Sequence, residues 1–349
     1  MAGSEVLVGM SGGVDSTVCA HLLREQGYRV RGLTLWLWDP AGRRENPCCS
    51  VDAAGIAARE LGIPHEVVLA RDRFQELVVA PTLAAYRAGR TPNPCALCNR
   101  EVRFSLLQEE ADRRGIPWVA TGHHARLRRQ GDQVHLLRGR DRRKDQSYFL
   151  YALTRDQLAR ALFPVGELAK AQIRELAAQL GLTAAGLAES QDLCFAPQGV
   201  GRLLGEDRPG PILDLEGRRL GEHRGLAHYT VGQRRGLGIA SPRPLYVVAL
   251  HPGRNAVIVG PESALYARVL EAADLHWISG RPPGPEFSAH VQIRYRAAAA
   301  AAQVTVTGDR ARVTFQQPQR AVTPGQAAVF YAGDRVVGGG TIDRPSPAT

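Results

Sequence analysis

Lysine is nearly missing from this chain. Of its 44 basic residues only Lys144 and Lys170 are lysines, and the other 42 are arginines. A guanidinium cannot imitate a compact ammonium, so a lysine that persists against such a bias marks a position to follow. Lys144 falls in the polar stretch RDRRKDQSYFL, and Lys170 in a helical pattern whose simplest reading is a solvated face. Methionine (2 residues) and aromatics (6%) are scarce as well. No apolar run is long enough to span a bilayer. The first thirty residues lack the signal-peptide order of charge, apolar core and cleavage site. No internal repeat is present, which removes solenoid architectures, and no GxxxxGK[ST] phosphate loop occurs. These absences leave a soluble, cytoplasmic protein with no membrane partner as the expectation.

What is present is a chain of 349 residues, 44% apolar, which supports two or three packed domains. The net charge of +10 and a pI near 9.7 suit a polyanionic partner such as nucleic acid. Six cysteines occur, at 19, 48, 49, 95, 98 and 194. In a cytosolic protein they point to catalysis or metal binding more than to structural disulfides.

The first two hundred residues alternate strand and helix signals. Strands are expected at 5–10, 29–38, 63–70 and 116–121, and helices at 16–26, from Ser50 to near Gly62, at 72–87 and at 101–114. Strands separated by helices imply a parallel sheet covered on both faces. Near residue 200 glycine and proline become frequent and helical periodicity ends. Beyond about 288 short alternating segments predict a small antiparallel barrel. The fold class is therefore α/β: a doubly wound parallel sheet over 1–202, a small β-rich domain over 203–275, and an antiparallel β-barrel over 276–349.

Three motifs carry chemistry. GMSGGVDS (9–16) follows a strand and opens a helix, where backbone N–H groups and the helix N-terminus form an anion site. Gly12 and Gly13 allow close approach, Ser11 and Ser16 add hydroxyls, and Asp15 is placed to help hold Mg²⁺. TPNPCALCNREVRF (91–104) is a stiff loop before a helix, and a cysteine near a helix N-terminus gains thiolate character. Cys98 fits that position. Cys95-x-x-Cys98 also reads as half of a zinc site, which Cys48 and Cys49 are able to complete. AESQDLCFAP (188–197) places Cys194 in a short loop, while Cys19 lies on the apolar side of the first helix and reads as core.

The first motif resembles the pyrophosphate loop of N-type ATP pyrophosphatases. With TGHHARL, KDQSYFLYAL, ESQDLCF, HYTVGQRRGLGI, VQIRYR and QRAVTPGQAAVFY in order from residue 9 to residue 331, the chain resembles the bacterial tRNA-specific 2-thiouridylases. The resemblance implies ATP contacts from Gly9, Met10, Ser11, Gly12, Gly13, Val14, Asp15, Ser16, Leu35 and Gly122. It implies that Asn93, Pro94 and Cys95 lie beside the target base, and that His123, Lys144, Asp145, Gln146, Arg294, Tyr295 and Gln326 contact tRNA. Cys98 is implied as nucleophile and Cys194 as persulfide carrier. The implied partners are tRNAs for Lys, Glu and Gln, a persulfide donor such as a cysteine desulfurase or relay protein, and a reductant.

In this chemistry ATP adenylates O2 of the wobble uridine, AMP becomes the leaving group, and a persulfide on Cys194 delivers sulfur to C2. One departure stands out: many members carry Asp where this chain has Cys95. Cys95, Cys98 and Cys194 together make three thiolates, enough for a [4Fe–4S] cluster with one open iron as an alternative sulfide carrier. Another tRNA-modifying ligase with the same phosphate loop is a further reading, and it does not need the paired thiols. An iron assay and absorbance spectrum on anaerobically purified protein separate the two sulfur routes. Colourless, iron-free protein that still thiolates tRNA removes the cluster.

Overall fold

The computed structural model describes residues 3–38, 50–187, 193–197, 199–205 and 208–347. Cys48 and Cys49 lie outside them. Five parallel strands form the first sheet: β1 (Glu5–Gly9), β2 (Arg29–Trp36), β3 (His65–Leu69), β4 (Trp118–Thr121) and, after a hairpin, the short strand Ala161–Leu162. Their spatial order is β3-β2-β1-β4 followed by Ala161–Leu162. Strands covered on both faces read as unbroken apolar runs, and Val6, Leu7 and Val8 of β1 are all buried. The order reverses between β1 and β4. In open sheets of this kind that reversal leaves a crevice at the carboxyl ends of the two strands, where ligands bind.

The helices form close to where the sequence places them. Helix α1 (Val14–Glu25) starts two residues earlier than expected. The helix Val51–Glu60 has the expected cap, with the Ser50 side chain accepting from Ala53 N at 3.2 Å. The helix expected at 101–114 begins instead at Pro94 and runs on through a π-helical turn over Asn99–Phe104. Proline at a first helical position is preorganised for it, and the Asn93 side chain caps Ala96 N at 3.4 Å.

One hairpin was not legible in the sequence. β5 (Ala125–Gln130) and β6 (Gln133–Arg138) leave the parallel sheet after β4, and β6 pairs with the barrel through Leu137 and Arg335. With Ala161–Leu162 numbered β7, the central unit follows as β8 (Gly210–Leu213), β9 (Arg219–His223), β10 (Tyr246–His251) and β11 (Ala256–Gly260), in the order β10-β11-β8-β9. The barrel comprises β12 (Tyr266–Trp277), β13 (Glu286–Gln292), β14 (Ala300–Thr307), β15 (Arg310–Arg320), β16 (Ala327–Ala332) and β17 (Arg335–Pro347). It closes because β12 pairs with both β15 and β17. The domain boundary expected at 275 falls inside β12. Register shifts within β12 and a left-handed Asp274 interrupt its alternation, so the strand did not read as part of the barrel.

The barrel shares a core with the first unit. Ile278, Ala327, Val329, Tyr331 and Val336 join the apolar cluster that also holds Leu35, Phe104 and Leu107. Where they meet, the segment before β16 sits on the loop before Cys95. Thr91 N donates to Pro324 O (2.8 Å), and Gln326 Nε2 donates to Thr91 O (2.9 Å) and Pro92 O (3.1 Å). Gly325 has φ +93°, and a Cβ there would lie 2.9 Å from the Thr91 backbone. Gly325→Ala is therefore expected to cost about 1–3 kcal/mol in denaturant unfolding. Unchanged stability would mean that this seam yields freely.

Candidate active site

The phosphate loop leaves β1 at Gly9 and enters α1 at Val14. Met10 N donates to Leu33 O (2.8 Å), and Ser50 N donates to Ser11 O (3.0 Å), so the loop is tied to β2 and to the start of the second helix. Gly12 has φ +81°, and a Cβ there would lie 2.7–2.9 Å from Ala53, Ala54 and Ser50. Inside the turn, Ser11 N donates to Ser16 Oγ (3.1 Å), which donates to Gly13 O (2.9 Å). Gly13 caps α1 without a side-chain acceptor. The first N–H groups of α1 therefore have no capping oxygen and suit an oxyanion.

β4 brings the second wall. A Cβ on Gly122 would lie 2.6 Å from both Asp15 C and Ser16 N, so the TGHH turn rests directly on the start of α1. His123 does not face outward. Its ring is buried against Phe104 and Phe163, with Nδ1 in a 2.7 Å hydrogen bond to Thr121 Oγ1. The next residue, His124, reaches the loop instead: Nε2 donates to Asp15 Oδ1 at 3.1 Å. The same oxygen accepts from Lys170 Nζ at 2.7 Å. Lys170 is thus buried against the phosphate loop and not solvated, because the helix Lys170–Gln179 packs on α1 and turns its first residue inward. Sequence reasoning missed both residues. The scarcity of lysine was the available signal for one, and the histidine doublet for the other.

Burial works to raise the Asp15 carboxyl, but the hydrogen bonds and charges of His124 and Lys170 outweigh it and hold the group below its ordinary value. Cys19, one turn further along α1, is fully buried, and burial with the Asp15 charge pushes its thiol far up, as suits a core residue.

The thiol segments approach from the other side of β2. Pro94–Cys98 is the first turn of its helix, so the cysteine nearest the helix N-terminus is Cys95, which is exposed. Cys98 lies a turn further in and is buried, which corrects the expected placement. Cys98 belongs to the apolar cluster that contains Leu35 and Leu37 of the β2 end, and Cys194 packs against that same cluster. Phe195 anchors the Cys194 turn, edge-on to Phe74 (5.8 Å) and Trp38 (6.2 Å). The two thiol segments, distant in sequence, thus pack on one wall. The Asn93 amide nitrogen is buried with no hydrogen-bond partner among the described residues.

Cys95, Cys98 and Cys194 are not gathered as a ligand set. Among the described residues no group of three His, Cys, Asp or Glu side chains stands ready for a metal ion. No step is assigned to an iron–sulfur cluster.

Several residues expected to touch tRNA are built into the seam. The Asp145 carboxylate is buried, accepting from Gly139 N (2.9 Å), Ser147 N (3.0 Å), Ser147 Oγ (3.0 Å) and Arg138 Nη1 (3.1 Å). Gln146 Oε1 accepts from His124 N at 2.8 Å. Arg294 Nη2 donates to Arg320 O at 3.1 Å, and the Tyr295 ring lies 4.4 Å from that of Phe149. Lys144 is half-buried beside this group. In the central unit a concavity of about 500 Å³ is lined by Arg234 and residues 236–245, and Arg234, Arg235 and Arg243 are exposed.

A carboxyl depressed on folding contributes stability above its unfolded value, near 3.9, and loses it as pH falls through the folded value. Asp15→Asn should therefore lower Tm at neutral pH, and the gap to wild type should close below about pH 4. Thermal melts across that range check it, and a gap that persists in acid contradicts the ion-pair assignment.

Comparison with known proteins places this geometry in context. Residues 4–198 match the family model described as tRNA methyl transferase HUP domain, 200–261 the PRC-barrel domain, and 267–342 the aminomethyltransferase beta-barrel domain. The tRNA-specific 2-thiouridylase MnmA of Roseiflexus castenholzii is 48% identical over 369 residues, covering 98% of this chain and 100% of that protein. The protein of the same name from Moorella thermoacetica is 49% identical over 353 residues, covering 97% and 99%. Among solved structures, the U34-tRNA thiolase NcsA of Methanococcus maripaludis overlaps at TM-score 0.36 with 18% identity, over 56% of this chain and 62% of that one. That likeness is too slight to carry an argument.

Proposed function

This chain belongs to the tRNA-specific 2-thiouridylase family, and from that membership we propose how its residues perform the reaction. The protein is a tRNA sulfurtransferase that uses ATP to make 2-thiouridine. The observation that supports the assignment of roles is the shared apolar wall: Cys98 belongs to, and Cys194 packs against, the cluster that holds Leu35 and Leu37 at the end of β2.

In the proposed sequence, ATP lies with its phosphates over the first turn of α1, held by the N–H groups and hydroxyls of Ser11 to Ser16. Leu35 and Gly122 border it. Mg²⁺, when bound, would draw charge from the phosphates, and the Asp15 carboxylate is the acidic group at hand. A wobble uridine leaves its stack and enters beside Asn93, Pro94 and Cys95. The buried Asn93 amide suits a carbonyl of the base, since an unpaired buried donor is costly until it finds an acceptor. The uridine O2 attacks the α-phosphorus and pyrophosphate leaves.

The terminal sulfur of a Cys194 persulfide then attacks C2 and AMP departs with the former O2. The Cys98 thiolate attacks Cys194 Sγ, the sulfur–sulfur bond breaks, its electron pair stays on the sulfur now bound to C2, and a Cys98–Cys194 disulfide forms. An external dithiol supplies the two electrons that restore the thiols, and a persulfide donor recharges Cys194. Thr91–Cys98 is the segment most in need of rigidity, and Gln326 holds it from the barrel. Lys144, Arg294 and Tyr295 stand near the same seam as tRNA contacts, with His123, Asp145 and Gln146 supporting from within. The exposed arginines at 234, 235 and 243 suit backbone phosphates, which position a nucleic acid without reading it. Acceptor tRNAs for Lys, Glu and Gln are the proposed substrates.

Cys98→Ser and Cys194→Ser are each expected to cut 2-thiouridine formation by roughly a thousand-fold or more, because each removes a reacting atom. ATP binding should survive in both. The measurement is thiolated nucleoside by mass spectrometry, with ATP affinity alongside. Full thiolation by either variant would exclude the thiol pair and favour another ligase chemistry on this loop.

A further inference from the structure

We infer that Lys170 is a nucleotide-binding residue: it brings to the pyrophosphate end of ATP the cation that the phosphate loop itself lacks. The inference rests on the reading of Ser11–Ser16 as the triphosphate site.

No lysine or arginine occurs in the loop from Gly9 to Ser16, so its own donors are N–H groups and hydroxyls. A departing pyrophosphate accumulates negative charge, and a fixed cation beside it is worth most where water is excluded. Lys170 enters from a helix more than 150 residues later. Its backbone N donates to Asp141 Oδ2 at 3.1 Å, which fixes the helix start, and its side chain runs inward with only 8% exposure. The ammonium ends 2.7 Å from Asp15 Oδ1, in the first turn of α1.

Two features distinguish this from a structural ion pair. Asp15 is far more open than its partner, at 31% against 8%, so the carboxylate is the side of the pair that solvent reaches and the cation lies beneath it. Burying a charge merely to pair it seldom stabilises a fold relative to apolar packing. The cluster is also incomplete by itself: the third member, His124, has a buried Nδ1 with no hydrogen-bond partner among the described residues.

The residue type fits the task. An ammonium directs three donors around one point and can hold Asp15 and a phosphate oxygen together. A planar guanidinium commits its donors to one plane. That explains a lysine here in a chain that uses arginine at nearly every other basic position.

The test measures affinities of the full chain for ATP, inorganic pyrophosphate and AMP by calorimetry, with thermal melts as a folding control. Lys170→Gln should weaken ATP and pyrophosphate by about 10- to 100-fold, the value of charge-assisted hydrogen bonds, and leave AMP within about twofold. Lys170→Arg should recover only part of the loss. The Asp15→Asn, Lys170→Gln double variant leaves neither member of the pair charged; measured against Asp15→Asn alone it should show the same selective loss, which separates Lys170 from Asp15 and guards against a single variant that does not fold. ATP and pyrophosphate binding equal to wild type would overturn the inference, and so would an equal loss of all three ligands in folded protein. Wild-type protein that binds no ATP would instead overturn the nucleotide reading of the loop.

Discussion

The structure hinges on the parallel pairing of β1 with β4, from Val6 against Trp118 to Gly9 against Thr121. β1 hands the chain to the helix on one side of the sheet, and β4 hands it to the TGHH turn and the hairpin. Two glycines let the turns meet: Gly12 fits under the second helix, and Gly122 lies on the backbone of Asp15 and Ser16. Any side chain at Gly122 would push the α1 terminus out of place. An anion site made of backbone N–H groups is only as accurate as the backbone that aims them.

A second constraint lies between the first unit and the barrel. They share an apolar core, and polar groups stitch its edge. Arg138 stacks over Tyr331 at 3.5 Å while holding Asp145, and Tyr148 Oη donates to Ala327 O at 2.9 Å. Buried polar groups of this kind are stable only when every member is satisfied, so they fix one arrangement of the two units. The loop carrying Asn93 to Cys98 is clamped from the barrel side by Gln326 and from its own side by the proline-rich turn. The barrel is therefore mechanically continuous with the cysteine-bearing loop.

The apolar surroundings of the thiols fit the chemistry. In the proposed reaction an adenylated base is open to hydrolysis, and Leu35, Leu37, Phe74 and Phe195 belong to the apolar cluster on which the thiol segments pack. Persulfide exchange needs two sulfurs to reach each other, and the Cys98 and Cys194 segments pack on one apolar cluster.

Much of the fold was legible. The parallel strands announced themselves as apolar runs, the Ser50 cap and glycine stops marked helix ends, and alternation announced most of the barrel, because burial on one or both faces writes a period into local sequence. The hairpin at 125–138 was not, since its arginine-rich strands find their partners in a distant barrel. Nor was the extent of β12, whose irregular register breaks the alternation. At the site, the phosphate loop was determined by sequence alone as a glycine-rich turn between a strand and a helix, and the cysteine segments were legible as contiguous motifs. Tertiary structure alone decided that His124, and not His123, reaches Asp15, that Lys170 is buried beside it, and that Cys95 and not Cys98 opens its helix. Those outcomes depend on which faces of separate helices and strands meet across the sheet, and no local pattern records such a meeting.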